Sequence, residues 1–356
     1  MQTPCYSPIP ASAYYDNKYL VHELERIFKK SWLLIGVTLE LSKPGDYFAR
    51  DALGIPIIIW NDEGDFKAYI NVCPHRHAML LDNGAVGSSE ILTCPYHGWQ
   101  FNAKGNVCKI PDAECFKGLK KEGAHALRSI RVERLEHLLF IQISENNSQS
   151  LEDFMGADVY SGIKQLSKRS SRLISSRYID LPCNWKLMYE NGTEDYHTPL
   201  IHKETFGNNL MLKDANIIYE KTDNHQGCKM SAHVFDEVKK FNINSPIATI
   251  SLFSGLHVTV GNQSVKVCTF EQELPISATT SQRRLWLMCN KRLDESIIEI
   301  IKRDVLKIQL EDEALMANNQ RGKENAFSPQ LLGHYETRIA YFHDYLINKI
   351  NYKANE

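Results

Sequence analysis

Apolar positions near the start of the chain recur at helical spacing. Tyr19-Leu20, Leu24, Ile27-Phe28 and Trp32 predict an amphipathic helix over 15–32. From Leu33 to Ser144 the pattern changes to short β-rich runs at 33–37, 55–60, 66–72 and 138–143. Turn signals such as Asn61-Asp62 and Asp82-Asn83-Gly84 separate them. The polar stretch 144–150 has the composition of a linker. Further strands are predicted at 173–180, 229–234, 256–260, 265–271 and 285–289, with a helical segment between Trp185 and His197. Long helical patterns cover 294–319 and 334–350. The fold class predicted is α+β: a small antiparallel β domain, then a domain whose antiparallel sheet is covered by helices.

Composition narrows the function classes. A chain of 356 residues has room for two domains, and 43% hydrophobic with 24% charged residues is ordinary for a globular protein. The net charge of -2 gives no pull toward nucleic acid. No apolar run approaches the roughly 18 residues that mark a membrane span. Residues 1–10 lack the basic and apolar regions of a secretory signal, so a cytoplasmic setting is expected. There the nine cysteines stay reduced and free to bind metal.

Two constellations carry the chemistry. Cys73-Pro74-His75 and Cys94-Pro95-Tyr96-His97 each follow a strand-like run, which sets two ligand pairs on loop tips. Two thiolates and two neutral imidazoles suit the two irons of a [2Fe-2S] cluster, and they also suit a structural zinc ion. Cys108 and Cys115 are read as ordinary buried thiols.

The second constellation holds His197 and His202. Five residues apart on a regular helix, they point roughly 140° from one another. Pro199 lies between them and disfavours helix at Thr198, so a break near 196–198 lets His202 swing back. Two histidines and one carboxylate form the ligand set of non-haem iron oxygenases. A candidate carboxylate lies on the stripe Ile298, Ile301, Val305, Ile308, Asp312, Leu315, where Asp312 interrupts an apolar face. Binding a cation removes the cost of burying it, and pairing with a lysine or arginine is the alternative. Glu311 and Glu313 fall off the stripe and are expected in solvent.

The whole pattern resembles the terminal (alpha) component of the Rieske non-haem iron oxygenases. Cys73-Pro74-His75-Arg76 and Cys94-Pro95-Tyr96-His97-Gly98-Trp99 look like the Rieske signature, with His77 where the family more often has glycine. Asn184-Trp185-Lys186, Glu190-Asn191, Glu194, Tyr196, His197 and His202 look like the catalytic motif, in the form closest to the choline, betaine and carnitine monooxygenase-like group.

The resemblance implies a Rieske domain over 38–145 and a helix-grip, START-like catalytic domain over 151–356. Residues 1–37 are then an N-terminal helix and strand packing on the latter. It further implies a [2Fe-2S] cluster on Cys73, His75, Cys94 and His97, and a mononuclear Fe(2+) on His197, His202 and Asp312. Glu194, with Asp195 as competitor, is the implied link between the cluster of one subunit and the iron of the next, which makes a homotrimer.

The expected reaction uses cluster electrons and O2 to hydroxylate or oxidatively demethylate a small organic substrate. Ring dihydroxylation by a large dioxygenase subunit, and electron carriage with a non-catalytic second domain, are the alternatives. With no Gly-x-Gly-x-x-Gly after a strand, a separate NAD(P)H-dependent reductase is expected, with or without a ferredoxin. Phe206, Leu210, Met211, Phe253 and His257 are candidate pocket residues.

Overall fold

In the computed structural model the described residues are 5–116, 125–203, 205, 216–221, 225–231, 247–252, 254–261, 267–290 and 292–350. They fall into two units, Trp32–Ser148 and Met1–Ser31 with Gln149–Glu356.

The smaller unit is built on a seven-stranded antiparallel sheet. Its order is Trp32–Val37, Leu138–Gln142, Ser129–Leu135, Asp65–Ile70, Ile55–Asp62, Asp46–Ala52, Val86–Ser88. A second sheet pairs Ile91–Thr93, Gln100–Asn102 and Val107–Lys109. Ile57 to Trp60 are all buried, so this strand is covered on both faces and reads as a continuous apolar run. Two-residue turns close the hairpins on either side of it. Leu53-Gly54 and Glu63-Gly64 all have positive φ, as the type I′ geometry that matches strand twist requires. The second turn therefore lies just past the Asn61-Asp62 signal.

The run 32–37 belongs to this sheet. Trp32 pairs with Gln142 and Val37 with Leu138, so the division falls after Ser31. The expectation that residues 1–37 form one N-terminal piece is thereby corrected: the strand half is hydrogen-bonded into the smaller unit.

The larger unit carries a second seven-stranded antiparallel sheet. Its order is Arg172–Leu181, Ser281–Cys289, Val267–Pro275, Leu256–Gly261, Ile247–Leu252, His225–Ser231, Asn216–Lys221. Leu285, Leu287, Cys289 and Val267 pack against Ile298 on the helix Glu295–Glu324, which Asp294 caps by accepting from Ser296 N. The helix Trp185–Asn191 is buried over most of its length and starts at Asn184, whose side chain accepts from Lys186 N. The closing helix Thr337–Ile350 buries Phe342, His343 and Leu346.

The first 31 residues are tied to this unit by polar contacts. Glu23, on the helix Asn17–Arg26, is fully buried; it accepts from Trp185 Nε1 at 2.6 Å and pairs with Lys186 Nζ at 2.6 Å. Arg26 donates to the Ile350 carbonyl, and the strand Cys5–Tyr6 pairs with Leu331–Leu332.

Removing one partner of a buried ion pair leaves an uncompensated charge. Lys186→Met is therefore expected to lower stability by about 3–5 kcal/mol, and the double change Glu23→Gln with Lys186→Met by clearly less. Urea denaturation of the two variants checks this, and equal losses would contradict it.

Candidate functional site

In the smaller unit, Cys73 and Cys94 head two loops that close in the same way. The Cys73 carbonyl accepts from His77 N and its N–H donates to the Ala78 carbonyl. The Cys94 carbonyl accepts from Gly98 N and its N–H donates to the Trp99 carbonyl. The fifth residue of each loop is left-handed, His77 at φ 59° and Gly98 at φ 72°. His77 thus occupies the conformation that glycine holds in the second loop.

Both thiols are buried, and Cys94 is a side-chain hydrogen-bond partner of Cys73. Burial raises the Cys73 thiol to about 11, an effect opposed by the His75 backbone N–H. The His75 and His97 rings lie 4.6 Å apart, and His75 stacks on Trp99 at 5.0 Å. His75 Nδ1 is buried without a hydrogen-bond partner. Two adjacent thiols, two adjacent imidazoles and an orphaned ring nitrogen fit a cluster ligand set. Cys108 and Cys115 are exposed, contrary to the buried role expected of them: the short elements Val107–Lys109 and Ala113–Cys115 that carry them bury none of their residues.

In the larger unit the helix Trp185–Asn191 ends earlier than expected. A second helix, Thr198–Ile201, follows with Pro199 in its first turn. His197 and His202 flank it as N-cap and C-cap, which brings their rings to 5.3 Å. Asp312 projects from the long helix to meet them. Its Oδ1 lies 3.5 Å from His197 Nε2 and 3.2 Å from His202 Nε2. Among the described residues this is the group whose ligand atoms converge, all within 4.8 Å. The three are largely withdrawn from solvent, and Asp312 Oδ1 lacks a well-formed hydrogen bond. The donor set therefore fits a divalent transition metal with open positions.

The outer nitrogens are held by carboxylates. Glu194 Oε1 contacts His197 Nδ1, and its other oxygen accepts from the backbone N–H groups of Tyr196 and His197. Glu311 Oε2 lies 2.8 Å from His202 Nδ1 and also accepts from Thr205 Oγ1. Glu311 is thus not a solvated residue, and neither is Glu313, which pairs with Arg177. Sequence spacing missed both because successive residues of a helix point 100° apart, and here three adjacent directions are all covered.

The charges act in concert. Burial alone lowers the His197 imidazole, but Asp312 and Glu194 outweigh it and raise it to about 10. Burial pushes Asp312 up, yet the two histidines hold it well below the usual carboxylate range. Asp195, the competitor of Glu194, is raised by burial and opposed by Arg338. Of the predicted pocket residues, His257 is buried, while Phe206, Leu210, Met211 and Phe253 lie outside the described residues.

A strand-built small unit with paired Cys/His loops, and a sheet-and-helix unit holding a two-histidine, one-carboxylate group, define a two-site redox protein. The model of the Rieske [2Fe-2S] domain matches residues 31–129, and that of the ring hydroxylating alpha subunit catalytic domain matches residues 169–351. The chain belongs to the ring hydroxylating alpha subunit family of Rieske oxygenases.

The carnitine monooxygenase oxygenase subunit of Escherichia coli strain K12 is 31% identical over 198 residues, covering 54% of this chain and 52% of that one. The benzene 1,2-dioxygenase subunit alpha of Pseudomonas putida F1 is 30% identical over 190 residues, covering 52% and 42%. The chain thus spans about half the length of the relatives it matches. In fold it is similar to the quaternary ammonium Rieske monooxygenase CntA in complex with L-carnitine, with TM-score 0.81, 23% identity and 98% and 96% coverage. It is also similar to naphthalene 1,2-dioxygenase from Rhodococcus sp. bound to indole, with TM-score 0.78, 18% identity and 96% and 94% coverage.

Groups that orient metal-binding imidazoles typically contribute 10–100-fold in affinity. Glu311→Gln is expected to weaken ferrous-ion binding by about that factor, read by metal titration of the apoprotein. The visible spectrum of the cluster is expected to stay unchanged. Unaltered ferrous affinity would remove Glu311 from the site.

Proposed function

We propose that this protein is the terminal oxygenase of a Rieske non-haem iron system, using O2 to hydroxylate or oxidatively demethylate a small organic substrate. The observation that carries this reading is the convergence of His197, His202 and Asp312. Iron held by these three supplies O2 activation, and a [2Fe-2S] cluster held by Cys73, Cys94, His75 and His97 supplies the electrons.

The side chains contribute by position. Asp312 stays ionised and offers an oxygen on the same point as both Nε2 atoms. Glu194 and Glu311 accept from Nδ1–H, which fixes each ring's tautomer and leaves Nε2 as the ligand. The buried helix Trp185–Asn191 anchors the segment that delivers the histidines.

Glu194, already on His197, is on this reading the link to the partner subunit's His97, and the working form is a homotrimer. A separate NAD(P)H-dependent reductase, with or without a ferredoxin, provides reducing equivalents in the cytoplasm. No helix among the described residues is long and apolar enough to cross a membrane.

For substrate, the form of the motif from Glu190 to His202 and the carnitine monooxygenase relatives favour a carnitine-, betaine- or choline-like alkylammonium. Ring hydroxylation is the second reading, supported by the similar identity to benzene 1,2-dioxygenase subunit alpha.

Iron analysis with low-temperature electron paramagnetic resonance of the reduced protein tests this. Wild type is expected to hold about three irons per chain and Asp312→Ala about two, with the Rieske-type signal in both and product only from wild type. Full iron and turnover in Asp312→Ala would overturn the assignment. Glu194→Gln is expected to leave a cluster that still reduces while little product forms, and wild-type turnover in that variant would remove the link.

A further inference from the structure

The inner face of the larger unit's sheet changes character along its length. Side chains alternate across a strand, and the register fixes which ones share a face. Leu285, Leu287 and Cys289 face the long helix with Val267. The same parity puts Arg283 on that face, and pairing puts Glu273 opposite Arg283, Glu271 opposite Leu285 and His257 opposite Glu271. Toward Ile298 the face is apolar. Away from it, four polar residues lie in a row: His257, Glu271, Glu273 and Arg283, each at most 8% exposed.

This row borders the metal-ligand group. Arg283 interacts electrostatically with Asp312. The His257 ring lies 4.5 Å from Tyr189 and closes on Gly192, where an added Cβ would meet it at 3.3 Å. Tyr189 and Gly192 belong to the segment that leads into His197.

The charges on this wall do not balance. Arg283 contacts Glu271 closely and Glu273 at 3.4 Å, so one guanidinium serves two carboxylates. His257 is no second cation. Its Nδ1 is engaged by Ser251 Oγ at 2.8 Å, and burial with the nearby Arg338 and Arg283 lowers its imidazole well below the ordinary value. Arg338 donates to Ser251 Oγ and has Asp195 in its field. Glu273 is therefore the acidic group left without a full counter-charge. It is 0% exposed, and neither of its oxygens has a hydrogen-bond partner. Burial raises it to about 8, with Arg283 opposing. A buried carboxyl without enough counter-charge keeps its proton in an empty site, and a bound cation supplies the charge that favours its ionised form.

We propose that Glu273 is the specificity-determining residue of the substrate site, the counter-ion for a positively charged head group, with Arg283 held in place by Glu271 beside it. This rests on the oxygenase reading and deepens it. A wall of this kind disfavours an uncharged aromatic ring, which leaves Glu273 and the free guanidinium nitrogens of Arg283 unsatisfied.

Calorimetric titration of the iron-loaded protein under argon tests the proposal without turnover, so its failure is separable from failure of the oxygenase reading. The probes are choline, L-carnitine, the neutral choline isostere 3,3-dimethylbutan-1-ol, and indole. Wild type is expected to bind choline or L-carnitine at least about tenfold more tightly than either neutral probe. Glu273→Gln is expected to bring that ratio close to one while binding the neutral probes as wild type does. Glu273→Asp is expected to keep the preference at weaker affinity, which guards against a misfolded Gln variant. The proposal is overturned if wild type takes the neutral probes as tightly as the cations, if it binds neither cation, or if Glu273→Gln keeps the cation preference.

Discussion

Asp312 sits on the buried side of a 30-residue helix, and the layout of the larger unit follows from keeping its charge there. An ionised carboxylate in that position needs compensation. It comes from two imidazoles at the two ends of a four-residue helix. The same long helix also fixes where those imidazoles stand. Gln320, two turns beyond Asp312, accepts from the backbone N–H of Asn184 at 2.8 Å. Asn184 in turn caps the helix Trp185–Asn191 and donates to the Ala278 carbonyl at the sheet's edge turn. One rigid rod of roughly 1.5 Å rise per residue therefore carries the carboxylate and anchors the segment that delivers the histidines. A shift of the rod moves all three donors together.

A second polar layer braces that segment from behind. Glu190 lies on the helix Trp185–Asn191 and is contacted by Tyr14 OH and by His343 Nε2 at 3.0 Å; His343 Nδ1 lies 2.9 Å from Ser7 Oγ. Burial alone raises the Glu190 carboxyl, but His343, Lys323 and Tyr14 together lower it. Gln320 donates to the Tyr14 carbonyl and Lys323 lies over the Tyr14 ring, so the N-terminal segment is fastened to the long helix. Buried networks of this kind fix a unique arrangement when their members are satisfied. That accounts for an N-terminal helix with a fully buried glutamate: Glu23 fastens the outer face of Trp185 and Lys186, while Glu190 is fastened from Tyr14 and His343.

Much of this was legible from residue order, and the limits have physical causes. The paired Cys/His loops and the carboxylate on an apolar stripe are local patterns, and local patterns survive in a sequence. The interruption between the histidines' helices was misplaced: it begins after Asn191, and Thr198 and Pro199 open the second helix, where a proline in the first turn sacrifices no hydrogen bond. The strands Asp46–Ala52 and Ser129–Leu135 carry mixed polarity and became evident only through their partners in the sheet. Glu311 gave no signal because its function depends on an imidazole over a hundred positions away. The charged wall left a fainter trace. Glu271, Glu273 and Arg283 are odd among the buried runs of their strands, but only the register shows that they face one another. The change of pattern at Leu33 was legible, but the division after Ser31 was missed because only the pairing of Trp32–Val37 with Leu138–Gln142 shows which unit the strand joins.

The departure at His77 shows how a sequence signature encodes backbone rather than side chain. Both cluster loops close with a hydrogen bond from the fifth residue to the cysteine carbonyl, and both place that residue at positive φ. Glycine reaches that region without strain, and histidine is among the few other residues enriched there. What decides between them is the space outside the loop. At Gly98 an added Cβ would lie 3.2 Å from Pro111 Cγ, a tight approach to a stiff ring. His77 projects into solvent and meets no such wall. The first loop can therefore carry a side chain at the position where the second is best served by glycine, and the two turns keep the same geometry with different residues. The family pattern at this position is a requirement for a left-handed backbone, and His77 meets it.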